Sequence, residues 1–274
     1  MIKLIVSDLD GTLLDHDKKV AQREKDALLH VKNSDVQLCL ASGRMHAEMR
    51  QVLEEIDHEA YIVSQNGAFI HLADGALLQA KYFETALAQR VFRMIQEVEA
   101  VKLFCSGEAN HIGQLSPASD AIQARMFEQF VLNEALANEL HESFPICKFS
   151  LFGELGPLLA LKDQLQQELG NLVDVYIADK DCLDIMPRAV SKGTSLLVLA
   201  KELGIQAEEI ACVGDSFNDV SMFGITPHSF AMSSAHPDVK KQAGRQVESV
   251  SEAIHYVLTY NENKQKEQRG SAKS

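Results

Sequence analysis

The stretch that decides the fold is Ile2-Lys3-Leu4-Ile5-Val6-Ser7-Asp8-Leu9-Asp10-Gly11-Thr12. An apolar run of strand length ends in two carboxylates one residue apart, and Gly11 then allows the chain to turn away. Side chains alternate along a strand, so Asp8 and Asp10 would share one face if the strand continued through them. Two anions at the end of a buried strand repel each other unless a cation lies between them. The stretch therefore predicts a buried strand that ends in a charged site, rather than a plain polar turn.

The composition indicates a globular protein that is long enough for two domains. The chain has 274 residues, of which 46% are apolar, and a formal net charge of −13. This acidic balance argues against nucleic acid as a partner, because a phosphate backbone requires a basic face. We find no run of about 18 apolar residues and no leader-like N-terminal segment, so we expect no membrane association and a cytoplasmic protein. The five cysteines lack metal-ligand spacing, which predicts reduced core residues.

Both ends of the chain alternate between strand-like and helix-like patterns. Near the N-terminus, the strand-length runs at 2–7 and 36–40 flank a helical pattern at 22–32. The alternation returns after residue 187, as in the apolar run at 210–213. Such alternation predicts a doubly wound parallel sheet with right-handed crossovers. We therefore predict an α/β core domain made of residues 1–81 and 187–260.

The middle of the chain has a different pattern. Residues 82–186 combine helical stripes, the longest at 118–142, with strand-like runs such as 146–152. This mixture predicts an inserted α+β domain of about a hundred residues, which we call the cap. Residues 261–274 are polar and are predicted to form a disordered tail.

Polar residues follow several of the predicted core strands. Besides Asp8 and Asp10, the residues Ser42, Asn66 and Asp215 each come at the end of one strand. Ligands of doubly wound sheets bind at the carboxyl ends of the strands. The convergence of these residues from separate strands predicts an active site there.

The chemistry of these residues points to phosphate and a hard cation. Ser42 could be a helix N-cap or a ligand of a phosphoryl oxygen, because a helix start also offers free N–H groups. Lys192 lies at a predicted helix start, where the helix dipole disfavours a cation, so we expect an anion to compensate it. Asp8, Asp10 and Asp215 form an all-oxygen set, which suits Mg²⁺ with waters and substrate phosphate completing its shell. Calcium is disfavoured, since no dense loop supplies six or more oxygens.

Four short motifs, in chain order, resemble those of the haloacid dehalogenase-like hydrolase superfamily. They are Asp8-Leu9-Asp10-Gly11-Thr12, Ser42-Gly43-Arg44, Lys192-Gly193 and Gly214-Asp215-Ser216-Phe217-Asn218-Asp219. The insert resembles that of the Cof-type subfamily, whose large cap lies between the second and third motifs. The resemblance covers roughly residues 1–80 and 187–258, and the first and fourth motifs are its specific part.

The resemblance implies a magnesium-dependent phosphatase that works through an aspartyl-phosphate. Asp8 would be the nucleophile, while Asp10 would protonate the leaving alcohol and then activate water. Magnesium would lie between the Asp8 carboxylate, the Asp10 backbone carbonyl and the Asp215 carboxylate.

The resemblance also assigns the residues that would surround the phosphoryl group. Its oxygens would be held by Ser42, Lys192, Asn218 and the backbone N–H groups of Leu9 and Gly43. Thr12 and Asp219 would support this arrangement from outside, with Asp219 orienting the metal shell or Lys192.

Two other functions share this chemistry. A sugar phosphomutase would need an aspartyl-phosphate that survives long enough for return transfer. A phospho-accepting signalling receiver also uses an acidic cluster on a doubly wound sheet, but it would need neither Asp10 nor a large insert.

The cap indicates the kind of substrate. It would close over the site, exclude water and select the leaving group. We therefore expect a small phosphorylated metabolite, such as a sugar phosphate or a vitamin-like cofactor, and a monomer or weak homodimer. Arg125 and Arg188 are possible anion contacts, although such arginines are more often solvated surface residues.

Overall fold

The residues that the structure describes form two β-sheets, one of eight strands and one of six. The computed structural model describes residues 1–126 and 128–271. In chain order the strands are β1 (Leu4–Ser7), β2 (Gln37–Ala41), β3 (Tyr61–Ser64), β4 (Phe69–His71), β5 (Leu77–Ala80), β6 (Val101–Cys105), β7 (Asn110–Ile112), β8 (Val131–Leu132), β9 (Lys148–Phe152), β10 (Val173–Asp179), β11 (Cys182–Pro187), β12 (Ile210–Gly214), β13 (His228–Met232) and β14 (Arg245–Val247). The helices are α1 (Gln22–Lys32), α2 (His46–Glu55), α3 (Thr85–Gln96), α4 (Pro117–Gln123), α5 (Leu155–Leu169), α6 (Lys192–Leu203), α7 (Val220–Phe223), α8 (Pro237–Lys240) and α9 (Val250–Ser271).

The larger sheet is built from both ends of the chain. Its strand order is β14-β13-β12-β1-β2-β3-β4-β5, with parallel pairing from β14 to β3 and antiparallel pairing at the β3-β4-β5 edge. The first strand, β1, therefore lies at the centre, between β12 and β2. The predicted α/β class with a doubly wound parallel core sheet is confirmed.

Helices cover both faces of this sheet, which explains why its central strand β1 is almost entirely apolar. Ile5 of β1 packs on the face covered by α1, α2 and α9, whereas Leu4 and Val6 pack on the face covered by α6, α7 and α8. All four residues of β1 are buried, as expected for a parallel strand covered on both sides. The strand thus delivers Asp8 to the edge of the sheet from inside the core.

The smaller sheet lies in the middle of the chain. Its order is β10-β11-β9-β6-β7-β8, and its pairs are antiparallel except for β7 with β8. Helices α3 and α5 pack on one face against Phe104, Phe149 and Leu183. The opposite face carries Leu103, Cys105 and Phe152 and packs in part against Phe69 of the core hairpin. This second face is therefore turned toward the larger sheet.

The predicted long helix at 118–142 is wrong. The helix α4 ends at Gln123, and Val131 and Leu132 pair as a strand with β7. The Gln123 side chain accepts a hydrogen bond from the N–H of Phe130 and donates one to the carbonyl of Glu128, which closes a loop after the helix. Strand pairing thus overrides the local helical pattern; Phe127, within that stretch, lies outside the described residues.

The end of the chain also differs from expectation. Helix α9 continues to Ser271, so the disorder predicted from residue 261 is wrong as far as 271, and residues 272–274 lie outside the described residues. Asn261 anchors this helix, because its amide exchanges two hydrogen bonds of 2.7 Å with the backbone of Ile2. The domain boundaries near 81 and 187 remain predictions. Within the described residues, no helix is both long and apolar enough to cross a bilayer.

Candidate active site

The residues that follow β1, β2, β3 and β12 meet at one edge of the larger sheet. A cavity of about 350 Å³ lies there, between the sheet edge and the cap. From the core it is lined by Asp8, Asp10, Ser42, Asp215 and Asn218. The structure therefore brings together side chains that the sequence predicts from three separate segments, those after β1, β2 and β12.

Lys192 neutralises part of the charge on the nucleophile candidate. Its Nζ donates to Asp8 Oδ1 at 2.7 Å and to Asp219 Oδ1 at 2.6 Å, and its side chain is fully buried. Burial would lower the pKa of Lys192, but the charges of Asp219 and Asp8 outweigh it and raise that pKa. The anion expected beside this lysine at the start of α6 is thus a pair of aspartates.

Asp219 holds the loop after β12 in place. Its Oδ2 accepts hydrogen bonds from the backbone N–H groups of Asp215 and Ser216, both at 2.9 Å. Its other oxygen is taken by Lys192, and Asp219 is completely buried. Both of its oxygens are therefore engaged in positioning neighbours.

Asp215 lies next to the end of β1. Thr12 Oγ1 donates to Asp215 Oδ1 at 3.0 Å. Gly11 has φ +79°, and a Cβ there would lie 2.5 Å from Asp215 Oδ2, so only glycine allows this approach. The sequence pair Gly11-Thr12 thus serves to bring the fourth motif against the first.

The three carboxylates of Asp8, Asp215 and Asp219, which we call the carboxylate cluster, carry excess negative charge. Their oxygens lie within 4.8 Å of one another, and Lys192 contributes one positive charge against them. Burial and then the charge of Asp219 raise the pKa of Asp215 to about 6, although the Thr12 hydrogen bond opposes this. Burial and the charge of Asp219 likewise raise the pKa of Asp8 well above its usual range, against the opposing effect of Lys192.

This imbalance fits a divalent cation. Hard oxygen ligands suit Mg²⁺, and a cation would remove the repulsion that raises both pKa values. Since both oxygens of Asp219 are engaged, Asp8 and Asp215 are the carboxylates that could hold the ion.

The carboxylate of Asp10 is turned away from the cluster toward two cations. Arg44 donates to it twice, from Nε to Oδ2 and from Nη2 to Oδ1 at 2.6 Å each, and Lys18 Nζ donates to Oδ1 at 2.6 Å. Burial would raise the pKa of Asp10, but the hydrogen bonds and charges of Arg44 and then Lys18 lower it to about 2. Of the predicted Asp10 contributions to a metal, only the backbone carbonyl is compatible with this orientation.

Of the remaining predicted phosphate ligands, Ser42, Gly43 and Asn218 line the same cavity. Ser42 is buried and its Oγ accepts the N–H of Arg44 at 3.3 Å, while Asn218 donates from Nδ2 to Asn66 Oδ1 at 3.0 Å. A Cβ at Gly43 would lie 3.2 Å from Asn66 Oδ1, which is a tight contact. Leu9 lies between the two aspartates and its side chain is fully buried. The roles of these residues toward phosphate stay predictions.

Sequence reasoning missed the cap side of the cavity. Lys148, Ser150 and Phe152 of β9 line it together with Cys182 and Asp184 of β11. The signal was present but weak: polar residues at 148 and 150 alternate with the buried Phe149 and Leu151, which is the period of a strand with two different faces. Lys18 was also missed, and no local pattern distinguishes it from a surface lysine.

The two arginines named as anion contacts lie in different places. Arg125 lines the cavity and forms an ion pair with Asp181 at 2.6 Å. Arg188 is exposed and pairs with Asp174 at 2.6 Å, and it does not line the cavity. The hypothesis that Arg188 contacts substrate therefore has no support in this geometry.

Comparison with known proteins decides the family. A sequence model of the haloacid dehalogenase-like hydrolases matches residues 5–258. The chain belongs to this family. The resemblance drawn from the four motifs is thereby confirmed.

Named relatives and solved structures agree with this assignment. The chain is 29% identical to the HMP-PP phosphatase of Klebsiella pneumoniae strain 342 over 244 residues, 88% of each chain, and 27% identical to that of Citrobacter koseri over 239 residues, 87% of each chain. A haloacid dehalogenase-like hydrolase from B. subtilis superposes with a TM-score of 0.84 at 22% identity, covering 93% of this chain and 99% of that one. Another from Bacteroides thetaiotaomicron gives 0.79 at 24% identity, covering 94% and 100%. The prediction of a phosphatase of this family is confirmed.

Proposed function

We propose that this phosphatase is magnesium-dependent and hydrolyses small soluble phosphoesters through a phosphorylated Asp8. The observation that carries the proposal is the carboxylate cluster itself: a buried aspartate at the end of the central strand, paired with a buried lysine and lying beside a second aspartate at the cavity. Such a site matches an anionic nucleophile that must approach an anionic phosphate.

In the first half-reaction, an Asp8 oxygen attacks phosphorus and the leaving alcohol departs with a proton. Lys192, Ser42 and Asn218, with the N–H groups of Leu9 and Gly43, hold the transferring oxygens as charge builds on them. Magnesium held by Asp8 and Asp215, together with the Asp10 carbonyl, would neutralise the charge of the attacking and transferring oxygens. Thr12 and Asp219 keep Asp215 and Lys192 in place for this step.

Asp10 supplies the proton and later removes one from water. Its carboxylate lines the same cavity as Asp8 but is held by Arg44 and Lys18. Beside these cations the Asp10 carboxyl is ionised and has no proton to give. The side chain must therefore leave them and take up a proton before it can protonate the leaving group. In the second half-reaction it acts as a base, for which the ionised form favoured by Arg44 and Lys18 is the required one.

The cap limits the size of the substrate. A cavity of about 350 Å³ with an inserted sheet as its roof suits a small leaving group better than a protein surface. We propose phosphorylated vitamin-like metabolites or sugar phosphates as substrates. The relatives named HMP-PP phosphatase, at 27–29% identity, favour the vitamin-like class.

A substrate panel tests the proposal. The protein is assayed with magnesium on sugar phosphates, nucleotides, phosphorylated vitamins including HMP-PP, and a phosphopeptide. We expect free inorganic phosphate from the small metabolites and a much lower specificity constant for the phosphopeptide. Transfer of phosphate to another position of a sugar would instead indicate a mutase, and preference for the phosphopeptide would contradict the proposal.

A further inference from the structure

A chain of hydrogen bonds crosses from the cap to the core at the roof of the cavity. Asp184 Oδ2 of β11 accepts from Asn66 Nδ2 at 2.6 Å, and Asn66 Oδ1 accepts from Asn218 Nδ2 at 3.0 Å. Asp184 and Asn66 are both buried. We call this sequence of contacts, Asp184 to Asn66 to Asn218, the amide link. It connects a carboxylate of the cap to a side chain proposed to bind the phosphoryl group.

The chemistry of the three groups fixes the direction of every bond in the amide link. An ionised carboxylate only accepts hydrogen bonds, so Asn66 must turn its NH₂ group toward Asp184. The oxygen of Asn66 then faces Asn218, which must present its own NH₂ group in return. An NH₂ group has two hydrogens, so the second one on Asn218 can serve an anionic ligand. A carboxylate in the cap thus determines that Asn218 offers a donor rather than an acceptor.

The orientation of the Asn218 amide is energetically unfavourable by itself, so a neighbouring contact must stabilise it. Asn218 Oδ1 is buried and has no hydrogen-bond partner among the described residues. A buried amide oxygen without a partner is unfavourable, and an amide without constraint would rotate to satisfy it. The contact with Asn66 opposes that rotation.

Asp184 is firmly held within the cap. Ser150 Oγ donates to its Oδ1 at 2.6 Å, and Lys148 Nζ lies 3.4 Å from its Oδ2. The same Lys148 Nζ donates to the carbonyl of Gly43 in the core at 2.9 Å. The buried carboxylate is therefore neutralised by a buried lysine, and both partners of this pair contact the core.

The backbone at Asn66 is kept in an uncommon conformation. Gln65 and Asn66 have φ of +49° and +54°, and both lie in the left-handed region that residues other than glycine seldom adopt. Backbone bonds hold them there, from Gln65 N to the carbonyl of Arg44 and from Asn66 N to that of Ser42, each 2.9 Å. Strained backbone of this kind persists where the surrounding structure requires it. Here it places the Asn66 amide between the cap and the phosphate-binding loops.

We propose that Asp184 and Asn66 are positioning residues that make phosphate binding depend on closure of the cap. With the cap closed, Asp184 orients Asn66, and Asn66 directs an N–H of Asn218 toward the phosphoryl group. When the cap moves away, Asp184 leaves Asn66 and the orientation of Asn218 is no longer enforced. This proposal rests on the proposed function only in taking Asn218 as a phosphoryl ligand.

An exchange of the two side chains tests the amide link. Asp184→Asn removes the carboxylate that fixes which way the Asn66 amide points. Asn66→Asp places two carboxylates next to each other. In the double variant Asn66→Asp with Asp184→Asn, the single carboxylate moves to position 66, between two amides, so Asn218 is once more required to donate. The measurements are the affinity for inorganic phosphate with magnesium, by calorimetry, and kcat and KM on the best small phosphoester.

We expect each single variant to weaken phosphate binding and lower kcat/KM by about tenfold or more. Asp184→Asn no longer fixes the direction of the Asn66 amide, and in Asn66→Asp the repulsion between two carboxylates moves the side chain at position 66 away from Asn218. The double variant should return to within about fivefold of wild type, since part of the Lys148 contact changes. If Asn66→Asp does not fold, Asp184→Asn and the double variant still make the comparison.

Glu24→Gln is the matched control. Glu24 is also buried and accepts the N–H of Ser251 at 2.6 Å on the far side of the core, away from the cavity. We expect it to lower the melting temperature without changing phosphate affinity, which is the behaviour of a structural carboxylate.

The outcomes separate this proposal from the proposed function. Wild-type phosphate affinity in Asp184→Asn, or a double variant no better than the weaker single, would overturn the amide link. Phosphate binding without turnover of any substrate would refute the proposed function, while the affinities would still test the link. A wild-type protein that binds no phosphate would overturn both.

Discussion

The two sides of the cavity differ in how their functional groups are assembled. On the core side, short loops directly after β1, β2 and β12 supply Asp8, Ser42 and Asp215. On the cap side, Lys148, Ser150 and Asp184 project from the faces of antiparallel strands. The core side concentrates several functional residues in a few consecutive positions, whereas the cap side uses single residues at every second position. The placement of functional groups on the core side therefore depends on local loops, whereas on the cap side it depends on the register between strands.

This difference predicts that substitutions on the core side abolish chemistry, while those on the cap side reduce it. Asp8→Asn should cause the largest loss, about 10⁴-fold or more in kcat, because an amide of similar size cannot attack phosphorus. The fold should persist, since one anion is removed from a cluster with excess negative charge. Steady-state kinetics and a melting curve check this. Activity within tenfold of wild type in a folded variant would remove Asp8 from the role of nucleophile.

Metal removal is expected to have the next largest effect. A chelator should abolish activity and magnesium should restore it, because the carboxylate cluster needs a cation to bind an anion. Magnesium should also raise the melting temperature of the wild type by binding the folded state, and Asp215→Asn should largely remove this shift. Full activity in excess chelator would show that the cluster is not a metal site.

The pH dependence of magnesium binding sharpens this prediction. The pKa of Asp215 is about 6 without metal, so its carboxyl is protonated as the pH falls below 6 and protons then compete with the ion. The magnesium concentration for half of the melting shift should rise by at least about tenfold per pH unit as the pH falls below 6, because the Asp8 carboxyl, whose pKa is also raised, takes up a proton as well. Asp215→Asn is the control, because it should show little melting shift with magnesium at any of these pH values. A half-saturation that does not change between pH 5 and 7 would contradict the assignment of Asp215 as a ligand.

Asp10 should show a smaller and more selective effect. Asp10→Asn should slow breakdown of the aspartyl-phosphate by about 10²-fold or more, but slow attack on a substrate with a good leaving group much less. Mass spectrometry of the variant during turnover should then detect a phosphorylated chain. Asp15→Asn, an exposed carboxylate of the same loop that does not line the cavity, is the matched control. Equal breakdown rates in Asp10→Asn and wild type would show that another group activates water.

The same contrast explains what the sequence could predict. Asp8 and Asp215 were predictable because each follows a strand whose apolar run is visible in the sequence, so their place at the sheet edge follows from topology. The compensating anion of Lys192 was also predictable, although its identity required the fold to bring β12 beside β1.

Other features depend on contacts that no local pattern encodes. The orientation of Asp10 is set by Arg44, 34 residues away, and by Lys18 in a turn. The helix predicted at 118–142 ends at Gln123, and residues 131–132 instead pair with β7. Lys148 and Asp184 come together across β9 and β11 only through the strand register, in which Asp184 lies opposite Ser150.

The cap side gives the smallest predicted effect, and two lysines of the same sheet allow a matched comparison. Lys148 Nζ donates to the carbonyl of Gly43 in the core at 2.9 Å, whereas Lys102 Nζ of β6 donates to the carbonyl of Val98 within the cap at 2.8 Å. Lys148→Met removes the contact with the Ser42-Gly43 loop and leaves the buried Asp184 without its cation. We expect kcat/KM to fall by about tenfold, mainly through KM, because a lost charge-assisted hydrogen bond at the roof affects binding more than attack.

Lys102→Met removes a similar hydrogen bond outside the cavity and should leave both constants within about twofold of wild type. Kinetics of both variants on the same small phosphoester decide the matter. If kcat and KM of Lys148→Met match those of Lys102→Met, the cap covers the site without contributing a specific contact. The core side of the cavity would then carry out the chemistry, and the cap side would only cover it.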